Sequence, residues 1–407
     1  MELRKIYISD IGKIITGKTP RTSIADNYGG NIPFLTPSDD LTRKHVVKTG
    51  KTLSAKGLNE VKNCLIPEKS ICVSCIGSDL GKVVMTSAPT VTNQQINSIV
   101  VKDEFDPDFI YYLMKIVGRE LNFISKTSTA VPIINKSTFS NTEVFVPSLE
   151  NQNRIGRILS SLDEKIENNR RINDNLEQQA QALYKSWFVD FEPFCGGEFI
   201  ESSLGSIPVG WKVGQLSDIC EIVGGGTPSK SHPEYYCKRG IAWITPKDLS
   251  VSKSKFSSRG SEDITSDGYK NSSAKLMPRG TVLFSSRAPI GYISIATNRI
   301  CTNQGFKSAV PGTAGTGYLY YFLQANTDKI ESKASGSTFK EASGSLMKSL
   351  EVIIPADGIF NQFEAELAPI LNKQENIASE IQTLTTLRDT LLPKLMSGEL
   401  KINEIDC

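Results

Sequence analysis

Two long stretches of the chain carry hydrophobic residues whose spacing alternates between four and three positions. The first stretch has Ile155, Leu159, Leu162, Ile166, Leu176 and Leu183, and the second has Phe363, Leu367, Ile370, Ile377, Ile381, Leu384 and Leu391. This heptad spacing is typical of a helix that packs along another helix. We call these positions the seam. They predict two spacer helices, over 150–192 and 356–400, that pack as an antiparallel coiled coil.

The seam has polar interruptions and one proline nearby. Asn169, Asn173, Gln374 and Arg388 occupy seam positions, where polar side chains cost stability and tend to fix the helix register. Pro369 lies within the second stretch. Because a proline inside a helix costs about 3 kcal/mol, it predicts a kink or a later start for the second helix.

The residues before each helix follow a different pattern. Short β-rich runs, such as 71–73 and 281–284, are separated by glycine, proline, serine and asparagine, as in strands joined by turns. One helix is predicted in each region, the first after a cap and a first-turn proline at 106–108, the second over 318–323. We therefore predict mixed domains over 1–149 and 211–355, a linker over 193–210 and a tail over 401–407.

The second half of the chain repeats the first. Ser9–Ile11 recurs as Ser217–Ile219, an offset of 208 residues, Thr92–Gln94 recurs as Thr302–Gln304, and the seam recurs position for position. A period this long indicates a duplicated domain pair rather than a solenoid repeat. The predicted fold class is α+β, a tandem duplication of an α/β-mixed domain plus a long helix.

Length and composition narrow the class of protein. A chain of 407 residues with 39% hydrophobic and 22% charged residues is expected to be globular with several domains. No run approaches the roughly 20 apolar residues that span a bilayer, so we expect a cytoplasmic protein without membrane contact. Eight cysteines without paired spacing and two histidines predict neither a disulfide framework nor a metal site.

The net charge of +2 is the sum of four alternating regions. Residues 1–150 have 18 basic against 15 acidic side chains, and residues 151–204 have 6 against 9. Residues 205–355 have 18 against 11, and residues 356–407 have 4 against 9. Two basic domains separated by acidic helices indicate two places where a polyanion can bind.

One segment matches a nucleotide-binding motif. Residues 12–19 fit the Walker A pattern, but the residues that follow have no helical periodicity, and the second copy has Gly226 in place of Lys18. We therefore predict no nucleotide site. Cys72 and Cys75 form a lone CxxC pair in a β-like run and are expected to be buried. No catalytic residues are predicted.

The loops of the two domains carry polar residues suited to nucleic acid. Asparagine and glutamine can pair with adenine, while arginine and lysine reach guanine or phosphate. The candidate DNA-binding residues are Lys18, Arg21, Asn93, Gln94, Gln95, Lys230, Lys247, Lys253, Lys255, Arg259, Arg287, Asn303, Gln304 and Lys307. Each could equally form a turn or a solvated loop. Positions that differ between the copies, such as Gly77 against Arg287, are the better candidates for sequence recognition.

Four segments carry a resemblance to a known family. They are 183–193 (LYKSWFVDFEP), 204–211 (LGSIPVGW), 285–291 (SSRAPIG) and 391–399 (LLPKLMSGE). With these, nearly the whole chain resembles the specificity subunit of type I restriction–modification systems. The first copy departs from the family pattern because it lacks the Gly-Trp lead-in.

The resemblance implies a DNA-binding subunit with no activity of its own. Each recognition domain would bind one half of a bipartite, asymmetric double-stranded DNA site. The helices would hold two methyltransferase subunits, which carry S-adenosylmethionine, and motor–nuclease subunits would join them for restriction. The duplication further predicts that residues 1–195 or 205–407 alone can pair with a second copy of themselves.

Two other classes of function are considered. A duplicated coiled-coil scaffold that binds proteins but not DNA would keep the helices, yet it does not explain the basic domains. A P-loop NTPase or a methyltransferase would need motifs that the sequence lacks.

The excluded nucleotide site gives a first prediction. Lys18→Ala is expected to leave ATP binding unchanged, because the wild-type chain binds none. Equilibrium dialysis of both proteins against labelled ATP checks this. Stoichiometric binding by the wild-type chain would contradict our interpretation of the loop.

Overall fold

The computed structural model describes residues 2–46, 48–77, 80–125, 133–336 and 340–400. The predicted tail over 401–407 lies outside the described residues. The chain divides into two compact units, the first formed by residues 1–169 and 381–407 and the second by residues 170–380. Each unit therefore contains one mixed domain and a part of each long helix.

The first unit begins with a mixed domain of short strands and helices. In chain order these are β1 Arg4–Tyr7, α1 Ile8–Ile11, β2 Gly12–Thr16, β3 Tyr28–Leu35, β4 Lys51–Leu53, α2 Ala55–Val61, β5 Leu65–Ile66, β6 Ile71–Ser74, β7 Val83–Met85, β8 Thr90–Thr92, β9 Ile96–Val101, α3 Pro107–Ser125, α4 Lys136–Ser140 and β10 Glu143–Val146. The long helix α5, Leu149–Phe188, follows.

The second unit repeats this order with small additions. Its elements are β11 Phe199–Ser202, β12 Gly205–Pro208, β13 Lys212–Gln215, β14 Cys220–Gly224, β15 Tyr236–Cys237, β16 Ile241–Ile244, α6 Pro246–Ser252, β17 Phe256–Ser257, β18 Asp263–Ile264, α7 Ser266–Lys270, β19 Val282–Ser286, β20 Ile290–Ala296, β21 Cys301–Thr302, β22 Lys307–Pro311, α8 Thr316–Ala325, α9 Thr327–Lys333, α10 Gly344–Lys348 and β23 Glu351–Ile354. The long helix α11, Ile359–Ser397, follows, and its part beyond residue 380 belongs to the first unit.

The sheets of the two units match. The order β2-β9-β6-β7 in the first unit corresponds to β14-β22-β19-β20 in the second, where β17 adds a further edge. In both units a parallel pair, β3 with β8 or β16 with β21, forms part of the second sheet. The structure thus confirms the predicted α+β class and its duplication.

The long helices end at identifiable signals. Helix α5 stops at Phe188 rather than at the expected residue 192, because Phe191 takes a left-handed φ of +55° and a 3-10 turn follows. Helix α11 ends at Ser397 before Gly398, whose φ is +75°. The N–H of Gly398 donates to the carbonyl of Leu395 at 3.3 Å, and that of Leu400 donates to the carbonyl of Lys394 at 3.1 Å, so both carbonyls of the last turn have partners.

Pro369 was expected to kink the second helix or to delay its start, and of these two effects the later start is wrong. Helix α11 begins at Ile359 and passes through Pro369, whose side chain is exposed. Phe363 and Leu367 precede it on the seam and are fully buried. Their burial offsets the roughly 3 kcal/mol that an interior proline costs.

The helices pack antiparallel within each unit. In the first unit, Ile155 and Leu159 near the start of α5 share a core with Leu392 and Leu395 near the end of α11. In the second unit the roles are exchanged, because the ring of Trp187 near the end of α5 lies 5.7 Å from that of Phe363 near the start of α11. The predicted antiparallel packing is therefore observed in both units.

All of the named seam residues are at least half-buried. Ile155, Leu159, Ile166, Phe363, Leu367 and Ile377 are buried, and Leu162, Leu176, Leu183, Ile370, Ile381, Leu384 and Leu391 are half-buried. The polar positions Asn169 and Gln374 are buried as well. The heptad pattern thus identified the contact face of both helices.

Helices α3 and α8, which we call the domain helices, occupy the same place in the two domains, but their first turns are capped differently. In the first unit, Asp106 Oδ1 accepts the N–H of Phe109 at 2.7 Å, and Gly156 of α5 leaves room for that carboxylate. In the second unit, Gly315 stands at the cap position, and Glu364 of α11 supplies the carboxylate. Each domain is thus matched to the start of its own long helix.

The buried aromatic cluster of the second unit gives a prediction. Phe363→Ala is expected to lower the free energy of unfolding by about 3–5 kcal/mol, because it leaves a cavity among packed rings. Urea unfolding followed by tryptophan fluorescence measures this, since Trp187, Trp211 and Trp243 all lie in the second unit. Glu366→Ala, on the exposed side of α11 in the same unit, is the control and should change little.

Candidate nucleic-acid interface

Two loops meet closely at the same place in each unit. A β-carbon at Gly17 would lie 2.2 Å from the Thr92 carbonyl oxygen, and the Lys18 N–H donates to that oxygen at 2.9 Å. In the second unit a β-carbon at Gly225 would lie 1.9 Å from the Asn303 carbonyl oxygen. No side chain fits at either position, which explains why both copies have a glycine here.

The segment with the Walker A pattern is a strand. Gly12–Thr16 forms β2 and pairs antiparallel with β9. The chain then continues as a loop to a 3-10 turn at Ala25–Asn27, with no helix starting at Lys18. This geometry differs from a phosphate-binding loop, which leads directly into a helix.

The asparagines of the shared turn hold its backbone. Asn93 Oδ1 accepts the N–H of Gln95 at 3.1 Å, and Asn303 Oδ1 accepts the N–H of Gly305 at 2.9 Å. The sequence left two roles open for each asparagine, which could form the turn or contact a base. These hydrogen bonds favour the first role. The Asn93 amide also donates to the Gln95 side chain at 2.9 Å, so Gln95 is partly engaged.

Around the first-unit turn, three candidate residues form one exposed group. The Lys18, Arg21 and Gln94 side chains are exposed. Gln94 Oε1 accepts the Thr19 hydroxyl at 2.7 Å, and the Arg21 N–H donates to Glu60 at 3.0 Å. That hydrogen bond and the nearby Arg21 and Lys18 charges lower the pKa of Glu60. The exposed amide of Gln94 is thus bonded to a loop that also carries two exposed cations.

Around the second-unit turn, two candidate cations share one carboxylate. Arg287 Nη1 and Lys307 Nζ lie 3.4 and 3.1 Å from the Glu341 carboxylate oxygens. They stand at the base of the turn, because the Ser286 N–H donates to the Gly305 carbonyl at 2.7 Å. Glu341 thus holds both cations beside the turn.

The other candidates of the second-unit loops are exposed. Gln304 is exposed at the tip of the turn. Lys247 is also exposed, and it follows Pro246, which lies against the turn because a β-carbon at Gly305 would be 3.0 Å from the Pro246 side chain. Lys230 is exposed on the loop that follows the Gly225 contact. The turn therefore gathers Arg287, Gln304, Lys307 and Lys247 in one region.

The two units differ in charge at this turn. The positions matched to Arg287, Lys307 and Glu341 hold Ile76, Asn97 and Ile133 in the first unit. Arg287 is matched to Ile76 rather than to Gly77, because the Ile134 N–H donates to the Cys75 carbonyl as the Ala342 N–H donates to the Ser286 carbonyl. Asn97 is buried and accepts the Thr16 hydroxyl at 2.6 Å. The same backbone frame thus carries a charged triad in one unit and uncharged residues in the other.

Lys255 requires a correction, because it does not lie on an open loop. Its side chain is 10% exposed, and its Nζ is 2.6 Å from Glu177, 2.5 Å from the Tyr321 hydroxyl and 2.8 Å from Gln374. The Nζ also stands 4.6 Å from the Tyr320 ring centre. Burial would raise the pKa of Glu177, but the adjacent ammonium lowers it below its usual value. Lys255 therefore joins the domain to the helices.

The first unit has the same arrangement around Lys44, which the sequence analysis missed. Lys44 is 8% exposed, pairs with Asp108 and donates to Ser160 of α5 at 2.7 Å. It lies over Tyr111 and Tyr112, as Lys255 lies over its own tyrosine pair. The signal was present, since each lysine precedes a Tyr-Tyr pair at a matched place in the repeat.

The remaining two candidates, Arg259 and Lys253, differ in how far their side chains are engaged by other residues. Arg259 is partly engaged, because its Nη1 lies 2.8 Å from the buried Asp263 carboxylate. Lys253 is exposed and ends α6 with a left-handed φ of +47°, while its N–H donates to Leu249 at 2.9 Å. Lys253 therefore stays a candidate for phosphate contact.

Cys72 and Cys75 are buried, as the sequence predicts. Burial raises the pKa of Cys72 to about 12 and that of Cys75 to about 11, so both thiols stay protonated at neutral pH. Over the described ranges, no group of three or more His, Cys, Asp or Glu side chains could hold a metal ion. Within the same ranges, no helix is long and apolar enough to cross a membrane.

Comparison with known proteins agrees with this architecture. Residues 2–178 and 208–395 match the family described as "Type I restriction modification DNA specificity domain". The chain is 28% identical to the type I restriction enzyme MjaIX specificity subunit of Methanocaldococcus jannaschii, over 98% of this chain and 93% of that protein. It is 26% identical to the HindI specificity subunit of Haemophilus influenzae, over 80% and 83%.

A solved structure shares the fold. The crystal structure of the type I restriction–modification S subunit from M. genitalium aligns with a TM-score of 0.62 at 16% identity, over 97% of this chain and 96% of that one. The family match covers most of both copies of the repeat. This chain therefore belongs to the type I restriction–modification DNA specificity family.

Proposed function

We propose that this chain is the sequence-recognition subunit of a type I restriction–modification complex, in which each domain binds one half of a bipartite, asymmetric DNA site. The observation that carries this proposal is the matched turn. One backbone frame presents Lys18, Arg21 and Gln94 in the first unit and Arg287, Gln304, Lys307 and Lys247 in the second. Because the frame is the same and the side chains differ, the two half-sites differ in sequence.

The long helices give the complex its second role. We assign the binding of two methyltransferase subunits to the outer faces of α5 and α11, which carry exposed charged residues such as Glu164 and Lys373. S-adenosylmethionine and the methyl transfer to adenine belong to those subunits, and motor–nuclease subunits join them for restriction. This chain itself is non-catalytic and holds no cofactor.

A single experiment tests the whole proposal. The chain is co-expressed with its methyltransferase subunit in a host without adenine methylation, and the modified adenines are mapped by sequencing. We expect one asymmetric motif with two separated parts, and no motif when the methyltransferase subunit is expressed alone. A palindromic motif, or none with both subunits present, would contradict the proposal.

The salt dependence of DNA binding distinguishes Lys253 from Lys255. Each phosphate contact contributes about 0.9 to the slope of log affinity against log salt. Lys253→Asn, which suits the left-handed backbone, is expected to reduce that slope by about 0.9. The Lys255→Met/Glu177→Met double variant, which leaves no charge unpaired, should keep the wild-type slope.

Filter binding at several salt concentrations measures both slopes. A reduced slope in the double variant would mean that Lys255 contacts phosphate after all. A wild-type chain without salt-dependent DNA binding would instead favour a protein-binding scaffold.

Arg287 is expected to affect one half-site alone. Arg287→Ala should reduce discrimination at a position in one half of the motif by about 1–3 kcal/mol, the range for a good base contact. Adenine mapping of the co-expressed complex shows which half changes. Arg279→Ala is the control, because Arg279 pairs with Glu375 on α11 and lies outside the turn. A change in both halves would contradict the assignment of one domain to one half-site.

A further inference from the structure

Because of the duplication, the two long helices have similar seams, and each could pair with more than one helix. Because α5 and α11 repeat the same seam at an offset of 208 residues, α5 of one chain could pair with α5 of another. Paired helices are best discriminated by polar side chains at buried positions, since an apolar seam accepts many partners. The buried polar positions of α5 and α11 differ between the two units.

The first unit has a buried ion pair between the helices. Arg388 Nη1 of α11 lies 2.5 Å from Asp163 Oδ1 of α5, and their side chains are 13% and 8% exposed. The Tyr112 hydroxyl donates to Asp163 Oδ2 at 2.6 Å, and Arg388 also donates to Asp389 at 2.8 Å. Burial opposes the Arg388 charge, but the two carboxylates outweigh it and raise the pKa of Arg388.

The second unit has an apolar pair at the matched positions. An offset of 208 places Leu371 of α11 where α5 has Asp163, and Ala180 of α5 where α11 has Arg388. Ala180 is fully buried, and Leu371 packs against the same core. Asp163 complements Arg388, and Leu371 complements Ala180. A charged residue of the first pair placed opposite an apolar residue of the second pair would lose its partner.

We propose that Asp163 and Arg388 make the two helices select each other and oppose pairing between equivalent helices of two chains. If α5 paired with α5 of a second chain in the same register, Asp163 would face the partner's Ala180. If α11 paired with α11, Arg388 would face the partner's Leu371. Each self-pairing buries two charges without their partners, which is strongly destabilising.

A second polar contact favours the same choice. Gln374 Nε2 of α11 donates to Glu177 of α5 at 3.0 Å in the second unit. At the positions matched to these two residues, the first unit has Ile166 and Thr385. Self-pairing of α5 would therefore replace an amide donor with Ile166. The self-pairing of residues 1–195 or of 205–407 that the duplication predicts is thus disfavoured by both contacts.

The test uses two full-length chains with different tags. One carries Asp163→Leu and the other Arg388→Ala, the residues that stand at the matched positions of the second unit. Each chain alone buries an unpaired charge and should lose thermal stability and soluble yield. Together, the α5 of one can pair with the α11 of the other, so that one contact is Leu–Ala and the other Asp–Arg.

Tandem purification with both tags measures the exchange. We expect the two variants to co-purify as a 1:1 complex at a yield at least ten times that of two differently tagged wild-type chains. The double variant Asp163→Leu/Arg388→Ala in one chain should regain the yield and melting temperature of wild type. Exposed changes on the same helices, Glu164→Leu with Lys394→Ala, are the control and should not co-purify.

Several outcomes would overturn the proposal. The first is single variants that stay as stable as wild type and do not co-purify. The second is single variants that fail to fold and are not rescued by co-expression. A third is a double variant that does not recover. None of these outcomes depends on DNA binding, so the proposed function can hold or fail independently.

Discussion

The fold depends on the burial of each long helix against the other and against a recognition domain. Leu392 and Leu395 of α11 complete the core of the first unit beside Ile155 and Leu159 of α5. In the second unit, Phe363 and Leu367 complete a core that also contains Trp187. Because each core is built from distant parts of the chain, neither unit is complete until both helices have formed.

The same constraint determines how the recognition loops are held. Lys44 and Lys255 join their domains to the helices at buried sites that offer a carboxylate, a hydroxyl or amide, and two aromatic rings. A desolvated ammonium is costly unless all its protons find partners. These lysines therefore fix how each domain sits on the helical part of its own unit, and the shared turn inherits that orientation.

Much of this architecture could be predicted from the sequence. The heptad spacing identified the helix faces because burial on a helix has a fixed period, and the repeat offset revealed the two domains. Lys255 was misplaced because a basic residue in a polar loop looks solvated until its distant partners, such as Glu177 and Gln374, are known. The later start expected at Pro369 was wrong for a related reason, since the packing that offsets the cost of an interior proline comes from other parts of the chain.

In the first unit the capping carboxylate comes from Asp106, opposite Gly156, and in the second it comes from Glu364, opposite Gly315. This difference has a consequence for the construction of chimeras. In each unit one carboxylate closes the first turn of the domain helix, and the other position has no side chain. A chain that joined the first domain to the start of α11 would bring two carboxylates to one cap, and the reverse junction would bring none. A productive crossover therefore lies inside the long helix, beyond the capping residue, so that a domain moves together with the first turns that follow it.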